Sequence, residues 1–236
     1  KGLLSDSDPR ISVRGWSKKR VSDNRVQLIE ESKLRDTYLS DYEEAEGTQN
    51  FLNAVQNYPQ LEGMQTNSYK CFLPQGWTFG SHEGIVSFLH PEGVYDDPKG
   101  GKLRKEMYPR LRYHLQFWNA LFLFEDIHDQ VAFSINTYRC EKGDINFESI
   151  ANLYAPSTVD KCFKHDGSGS VPGMRDENHD WNLRGHAERI VSVDDEALGL
   201  FAELYDEDGT PSHSARLPAV HSTQIVEVLR KYADQP

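Results

Sequence analysis

Residues 84–138 read GIVSFLHPEGVYDDPKGGKLRKEMYPRLRYHLQFWNALFLFEDIHDQVAFSINTY, and they contain the strongest signals for the fold class. It begins with a continuous apolar run, residues 85–89, which is typical of a strand buried on both faces. A loop with two carboxylates, a lysine and paired glycines follows, and then a basic segment that predicts a helix over residues 102–115. Two more apolar runs, residues 117–124 and 131–138, predict strands that form an antiparallel hairpin at the sheet edge. We therefore expect an α/β fold, with helices flanking the sheet.

The composition indicates a globular protein of 236 residues, with 37% hydrophobic and 27% charged residues. No apolar run approaches the roughly 20 residues that cross a bilayer, and the start KGLLSDSDPR lacks the apolar region of a signal peptide. Three cysteines without a CxxC pair suit a reducing compartment and argue against a zinc site. We expect a cytoplasmic protein without membrane contact or bound metal. Because the chain does not begin with methionine, we also expect a piece of a longer protein.

The charge pattern limits the possible partners. A net charge of -11 argues against a free-standing nucleic-acid binder, since phosphate contacts need Lys and Arg. The charge is uneven, however, because residues 10–25 and residues 99–112 each contain six basic side chains. Such a patch either contacts phosphates or is simply solvated, and the composition leaves both interpretations open.

Periodicity predicts the elements outside the central stretch. Residues 1–25 have no sustained period and indicate an extended or loop segment, whereas residues 26–58 predict helix. Residues 65–79 predict another helix, which Pro74 breaks or kinks.

The segment after residue 138 is interpreted as a loop-rich and helical tail. Turn residues dominate residues 139–186, and residues 189–193 predict a short strand. Asp194 is expected to cap the helix that follows, and residues 224–232 predict a final helix that stops at residues 234–236.

Polar residues after the first strand form a candidate site. In open α/β sheets, ligands bind outside the carboxyl ends of the strands. Asp96, Asp97 and Lys99 lie there, and they either hold a polar substrate or cap the next helix. The paired Gly100 and Gly101 lack the surrounding pattern of a phosphate-binding loop.

Several segments resemble large adenine-specific DNA methyltransferases of bacterial restriction-modification and phage-defence systems. The segments are GTQNFLNAVQNYPQLEGMQTNSYKCFLPQGW, SFLHPEGVYDDPKGGKLRKEMYPRLRYHLQFWNALFLF and VAFSINTY, followed by ESIANLYAPSTVDKCFKHDG, WNLRGHAERIV and ARLPAVHS. The resemblance extends over nearly the whole chain. The individual motifs are moderately specific, and their order adds weight.

The resemblance implies a partial Rossmann-like methyltransferase sheet. In that family S-adenosyl-methionine lies over the first strands, and an (N/D)PP(Y/W/F) tetrapeptide after the fourth strand holds the target amine. This sequence contains neither the tetrapeptide nor a glycine-rich cofactor-binding turn. Residues 1–138 would then be the distal part of the methyltransferase domain, with its fifth to seventh strands. Residues 139–236 would lead toward a target-recognition region. The parent enzyme would use S-adenosyl-methionine, whereas this fragment is expected neither to bind it nor to be active alone.

The resemblance also implies roles for individual residues. Methylating a base amine requires a flipped adenine, read by hydrogen bonds and aromatic stacking. Tyr138, at the end of the seventh strand, would lie against that base, and the preceding loop would border the pocket with Pro91, Tyr95, Asp96 and Asp97. The residues implied to contact the DNA backbone are Lys99, Lys102, Arg104, Arg110 and Arg112.

Other function classes remain open. The implied partners are DNA through the parent protein, the N-terminal half of the methyltransferase domain, and other restriction or defence subunits. An interaction or scaffold module of a defence complex, without catalysis of its own, is the alternative that the acidic composition favours. A nuclease is a third possibility, although the DDPK sequence matches the PD…(D/E)xK pattern poorly.

Overall fold

The computed structural model of the chain describes residues 2–31, 34–65 and 67–233. Contacts between residues divide the chain into two compact units, Lys1–Asn57 and Tyr58–Pro236. The strand-forming segments all belong to the second unit. The sheet continues across residue 138, because residues 113–117 pair with residues 148–153.

The first unit is helical within its described residues. Its helices are α1 Gly2–Ser7, α2 Arg10–Val13, α3 Lys18–Asp23, α4 Arg25–Glu31 and α5 Arg35–Asn53. Each of the first four helices contributes one buried apolar side chain to a small core: Leu4, Ile11, Val21 and Leu28. The prediction of a loop over residues 1–25 is wrong, because helices this short show no sustained period. The helical prediction for residues 26–58 is confirmed as far as the end of α5 at Asn53 and is wrong for residues 54–58. Residues 32 and 33 lie outside the described residues.

The second unit contains the sheet and the remaining helices. The strands are β1 Ile85–Pro91, β2 Leu111–Trp118, β3 Ala132–Arg139, β4 Asn146–Leu153 and β5 Val191–Asp194. The helices are α6 Ser68–Phe79, α7 Gly93–Asp96, α8 Gly101–Met107, α9 Ser157–Phe163, α10 Asp195–Tyr205 and α11 Thr223–Ala233. These elements confirm the α/β class. Among the described residues, no helix has the length and apolar character needed to cross a bilayer.

The five strands of the described residues form one mixed sheet in the order β1-β3-β2-β4-β5. β3 is antiparallel to both of its neighbours, β2 is parallel to β4, and β4 is antiparallel to β5. The antiparallel hairpin of β2 and β3 is confirmed, but its expected position at the sheet edge is wrong. Both strands lie inside the sheet, because β1 covers one side of the hairpin and β4 covers the other.

The boundaries of β2 differ from the prediction in two places. The helix predicted over residues 102–115 ends at Met107, because Pro109 has no N–H with which to continue it. The chain then enters β2, so the strand predicted over residues 117–124 begins earlier and ends at Trp118. Buried Asn119 terminates it by donating to the carbonyls of Phe124 at 2.9 Å and Ile127 at 2.7 Å.

β1 is the strand whose surroundings differ most from expectation. Its apolar sequence predicts burial on both faces, yet Ile85 is 58% exposed and Leu89 is 54% exposed. Within the described part of the chain, β1 pairs only with β3 and forms the edge of the sheet. The residues whose side chains would contact a further strand or helix are therefore open to solvent.

Helices α6, α10 and α11 confirm the predictions for their segments. Pro74 lies inside α6. Asp194 caps α10, because its Oδ1 accepts the backbone N–H of Ala197 at 2.8 Å. The predicted stop of α11 at residues 234–236 lies outside the described residues.

Candidate functional site

The candidate site is built on one face of the sheet. The strand register places His90 opposite Ser134, and Asn136 opposite both Phe88 and His114. Alternate residues of a strand point to the same face, so these polar side chains converge. Glu92 and Tyr95, from the turn after β1, complete the group. We call it the polar network: His90, Glu92, Tyr95, His114, Ser134, Asn136, Tyr138 and Ser149.

The hydrogen bonds of the polar network fix the state of His90. Asn136 Nδ2 donates to His90 Nε2 at 2.9 Å, so that nitrogen accepts and carries no proton. The proton is on Nδ1, which donates to the Pro91 carbonyl at 2.9 Å. Tyr95 Oη donates to Asn136 Oδ1 at 2.6 Å. Burial lowers the pKa of His90, which agrees with a neutral imidazole.

A buried carboxylate and a second histidine form the other half of the network. His114 Nε2 lies 3.2 Å from Glu92 Oε2, and His114 Nδ1 lies 2.9 Å from Ser149 Oγ. Burial raises the pKa of Glu92, whereas His114 and a hydrogen bond from Ser134 lower it. Together, the lowering effects are larger than the effect of burial, so the net pKa lies below the ordinary value. Glu92 is therefore an ionised carboxylate beneath the loop that follows β1.

The residues implied to form the base pocket are divided between the interior and the surface. Tyr95 and Tyr138 meet, with their hydroxyl oxygens 3.4 Å apart, but both are fully buried. Burial raises the pKa of each phenol well above its ordinary value. Pro91 and Asp96 are exposed and Asp97 is half-buried. Neither tyrosine therefore offers a ring to a ligand in this structure, and we assign both a supporting position beneath the loop.

The two aspartates differ in their surroundings. Asp97 Oδ1 accepts the backbone N–H of Lys99 at 2.9 Å, which is the capping role left open by the sequence. Its Oδ2 also lies 3.6 Å from Lys70 Nζ. Asp96 has a pKa raised by burial and by Glu92, which favours its protonated form relative to an ordinary aspartate.

Arg104 is not available to a DNA phosphate. Its side chain is buried, and its guanidinium donates to the carbonyls of Val94, Tyr95, Asp97 and Ser214. A Cβ on Gly100 would lie 2.6 Å from Arg104 Nη1, so the glycine makes room for the guanidinium rather than for a phosphate. The implied DNA contact at Arg104 is replaced by a structural role.

The other implied backbone contacts differ in how accessible they are. Lys99, Lys102 and Arg112 are exposed. Arg110 is half-buried, with its guanidinium carbon 4.9 Å from the Trp77 ring and Nη1 donating to the Glu106 carbonyl at 2.7 Å. Lys102 forms an ion pair with Glu62. Lys99 and Arg112 therefore remain open to an anionic partner, and Lys102 is exposed but paired with Glu62.

The structure also contains a cavity that the sequence did not indicate, which we call the aromatic cavity. It has a volume of about 670 Å³ and lies where β2 and β4 end. Trp118, Asn152, Tyr154, Arg175 and Trp181 are among its lining residues. Trp118 lies in a predicted strand, and the other four lie in the segment interpreted as loop-rich. The aromatic residues were the available signal, but their convergence depends on the parallel pairing of β2 with β4.

No protein-family model matches the chain, and no curated protein sequence is significantly similar to it. Within the described residues, no group of three or more His, Cys, Asp or Glu side chains is arranged to hold a metal ion.

We expect the free energy of unfolding to fall as the pH is lowered from 7.5 to 5.5. The pKa of His90 is depressed below its ordinary value of 6.5 in the folded protein, so the unfolded chain takes up the proton first. Its stabilising contribution is complete above pH 6.5 and is lost as the pH falls through the lowered pKa. The loss at pH 5.5 is about 1.4 kcal/mol per histidine that stays neutral.

Urea unfolding at the two pH values measures this effect. His90→Gln should reduce the pH dependence without abolishing it, because burial also lowers the pKa of His221. His221→Gln supplies the comparison, since it should also reduce the pH dependence, and the double substitution should reduce it further. Equal pH dependence in the wild-type and His90→Gln chains would refute the assignment of a neutral buried His90.

Proposed function

We propose that this chain is the distal part of an S-adenosyl-methionine-dependent adenine-specific DNA methyltransferase. The observation that carries the proposal is the state of β1. Its sequence is that of a strand buried on both faces, but it occupies a sheet edge with Ile85 and Leu89 exposed. A strand of this composition is stable in solution when a neighbouring strand and helix cover it. The cofactor-binding half of the domain is the partner that the resemblance supplies.

The arrangement of the first three strands also supports the proposal. β1 and β2 are both antiparallel to β3, so they are parallel to one another. Their carboxyl ends therefore lie at the same edge of the sheet, where α/β domains bind ligands. The loop after β1 begins at that edge, above the polar network. Under this proposal the assembly is Rossmann-like, and the loop with Pro91, Asp96 and Asp97 borders the target base.

Under this proposal, the cofactor-binding half and this chain have different roles. S-adenosyl-methionine would supply the methyl group from the partner half. A cofactor-binding turn places its glycines between a strand and the helix that follows it. None of the described glycines with positive φ has that position. This chain's own residues would position the loop through Glu92 and His114 and contact the DNA backbone through Lys99, Lys102 and Arg112.

We expect the chain alone to methylate no DNA, and to do so when it is co-expressed with the cofactor-binding segment encoded upstream in the same reading frame. Incorporation of labelled methyl groups into adenine measures the activity, and co-purification measures the association. Leu89→Lys should weaken the association at least about 10-fold, because it puts a charge into the apolar contact. Val228→Lys, at a position 48% exposed on α11, is the matched control.

Two results would contradict the proposal. Methyl transfer by the isolated chain would show that the cofactor site lies within it. Association that is equally tolerant of Leu89→Lys and Val228→Lys would show that β1 is not the joining surface.

An interaction module without catalysis is the second candidate. The observation that favours it is the exposed apolar face of α11, with Ile225 40%, Val228 48% and Tyr232 68% exposed at a helical spacing. A pull-down that retains protein partners, loses them on Val228→Lys, and yields no adenine methylation in the co-expression experiment would select this candidate.

A further inference from the structure

The aromatic cavity lies at the carboxyl ends of two parallel strands. β2 ends at Trp118 and β4 ends at Leu153, and these strands are parallel neighbours. Crevices beyond the carboxyl ends of parallel strands are common ligand sites. The volume of about 670 Å³ lies within the range of roughly 300–1,000 Å³ typical of small-molecule pockets. Both the place and the size therefore suit a ligand.

One wall of the cavity is a stack of three planar side chains. The rings of Tyr154 and Trp181 are stacked with centroids 4.2 Å apart and an interplanar angle of 24°. The guanidinium carbon of Arg175 lies 3.2 Å from the Trp181 ring centroid. Tyr154 and Arg175 both pack against Trp181, so the three side chains form one planar group at the cavity wall.

Trp118 supplies a separate aromatic surface. Its ring takes part in none of the aromatic or cation–π contacts found among the described residues, although the residue is half-buried. Its Nε1–H donates to Asn152 Oδ1 at 3.3 Å, which fixes the orientation of the indole. An oriented but unstacked indole at the wall of a cavity is available to a planar ligand.

The backbone around the cavity is held in place. Arg175 and Trp181 form a β-bridge, and Arg175 Nη1 donates to the His179 carbonyl at 2.8 Å. Asn152 has a left-handed backbone with φ of 56°, and its N–H donates to Gln116 Oε1 at 3.1 Å. Non-glycine residues adopt this conformation where the surroundings enforce it, and such positions concentrate at ligand sites.

We propose that this cavity binds a nucleobase. A base has a planar face for Trp118 and for the Arg175 guanidinium, and stacking on such groups is how proteins hold unpaired bases. Side-chain amides pair with base edges, and Gln130 brings an amide to the cavity, whereas the amide of Asn152 is already engaged by Trp118 and the Ala219 carbonyl. The base belongs either to a single strand or to a free nucleotide. The choice of a DNA strand rests on the proposed function.

Binding of a fluorescent single-stranded DNA to the whole 236-residue chain tests the proposal. Trp118→Leu should weaken binding roughly 5- to 150-fold, which corresponds to the loss of one base–aromatic stack. Trp118→Phe keeps an aromatic face and should retain most of the binding, so it separates a stacking role from a folding role. Phe79, which is 83% exposed on α6, gives the matched control Phe79→Leu with unchanged binding.

The outcomes separate the two sources of the base. Competition by adenosine monophosphate as strong as that by the unlabelled strand assigns the cavity to a free nucleotide, and competition by the strand alone assigns it to DNA. Absence of binding, or equal binding by the wild-type chain, Trp118→Leu and Phe79→Leu, overturns the proposal. Methylation by the co-expressed halves is measured separately, so either proposal can fail while the other stands.

Discussion

Replacing Arg104 by methionine is expected to lower the free energy of unfolding by about 3–5 kcal/mol. Methionine fills a similar apolar volume but leaves the buried carbonyls of the loop without a donor. The guanidinium Nη1 lies 2.8 Å from the Asp97 carbonyl, and Nε lies 3.0 Å from the Ser214 carbonyl. Each buried acceptor left unsatisfied costs about 1–3 kcal/mol. The estimate is below the simple total because water and relaxation recover part of it.

Urea denaturation of the purified chain measures this difference. Lys105→Met on the same helix is the matched control, since Lys105 is exposed and its loss should change the stability by less than about 0.5 kcal/mol. Arg104→Lys should be intermediate, because an ammonium group keeps the charge but does not span several carbonyls at once. An Arg104→Met chain as stable as Lys105→Met, but with weaker DNA binding, would instead restore the phosphate-contact interpretation.

Arg104 also shows why the sequence did not distinguish the buried basic residues of this segment from the exposed ones. Lys102, Arg104 and Lys105 are near neighbours in a basic helix, and nothing local distinguishes them. The difference arises from Ser214, which is 110 positions along the chain and accepts from Arg104 Nε. Local pattern predicts a helix, whereas the burial of one of its charges depends on a distant segment.

The strands were likewise predicted where the signal is local and missed where it depends on distant parts of the chain. β1 and the hairpin of β2 and β3 were found because apolar runs and a short connection are local signals. β4 was missed because Glu148, Ser149 and Asn152 interrupt its apolar pattern, and its identity as a strand depends on parallel pairing with β2. The aromatic cavity inherits that dependence. Its Trp118 and Trp181 lie 63 positions apart and are brought together by the same pairing.

The sequence predicted where the candidate site lies but not which buried residues form it. The loop after β1 was predicted to be polar and to lie at a strand end, and both features are present. Glu92 and His114 received no role, because a glutamate in a turn and a histidine in a predicted helix are ordinary surface residues. Their burial is a consequence of β2 beginning at Leu111, which turns His114 toward the face that Glu92 covers.

Glu92→Ala is expected to cost about 2–3 kcal/mol in the free energy of unfolding, because it removes the carboxylate that accepts a buried hydrogen bond from His114. The carboxylate is the group nearest His114 Nε2, at 3.2 Å, and both residues are buried. Alanine leaves that nitrogen without an acceptor and leaves a cavity beneath the loop. Glu92→Gln preserves the shape and one acceptor oxygen, so its loss should be smaller.

The exposed pair of Glu62 and Lys102 provides the matched control. Glu62→Ala removes a carboxylate from a solvent-exposed ion pair, and such pairs contribute about 0–1 kcal/mol. Thermal and urea unfolding of Glu92→Ala, Glu92→Gln and Glu62→Ala therefore separate burial from pairing. Equal losses for Glu92→Ala and Glu62→Ala would contradict a buried, hydrogen-bonded carboxylate at Glu92.

The pH dependence gives this prediction a second, independent readout. The net pKa of Glu92 lies below its ordinary value of 4.5, because His114 and Ser134 outweigh the opposing effect of burial. The stabilising contribution is therefore present above pH 4.5 and is lost as the pH falls through the lowered pKa of the folded state. Glu92→Gln has no carboxylate to protonate, so its stability should fall less than that of the wild-type chain below pH 4.5. If the two chains lose stability in parallel there, Glu92 is not held ionised in the folded protein, and the loop after β1 does not rest on a buried carboxylate.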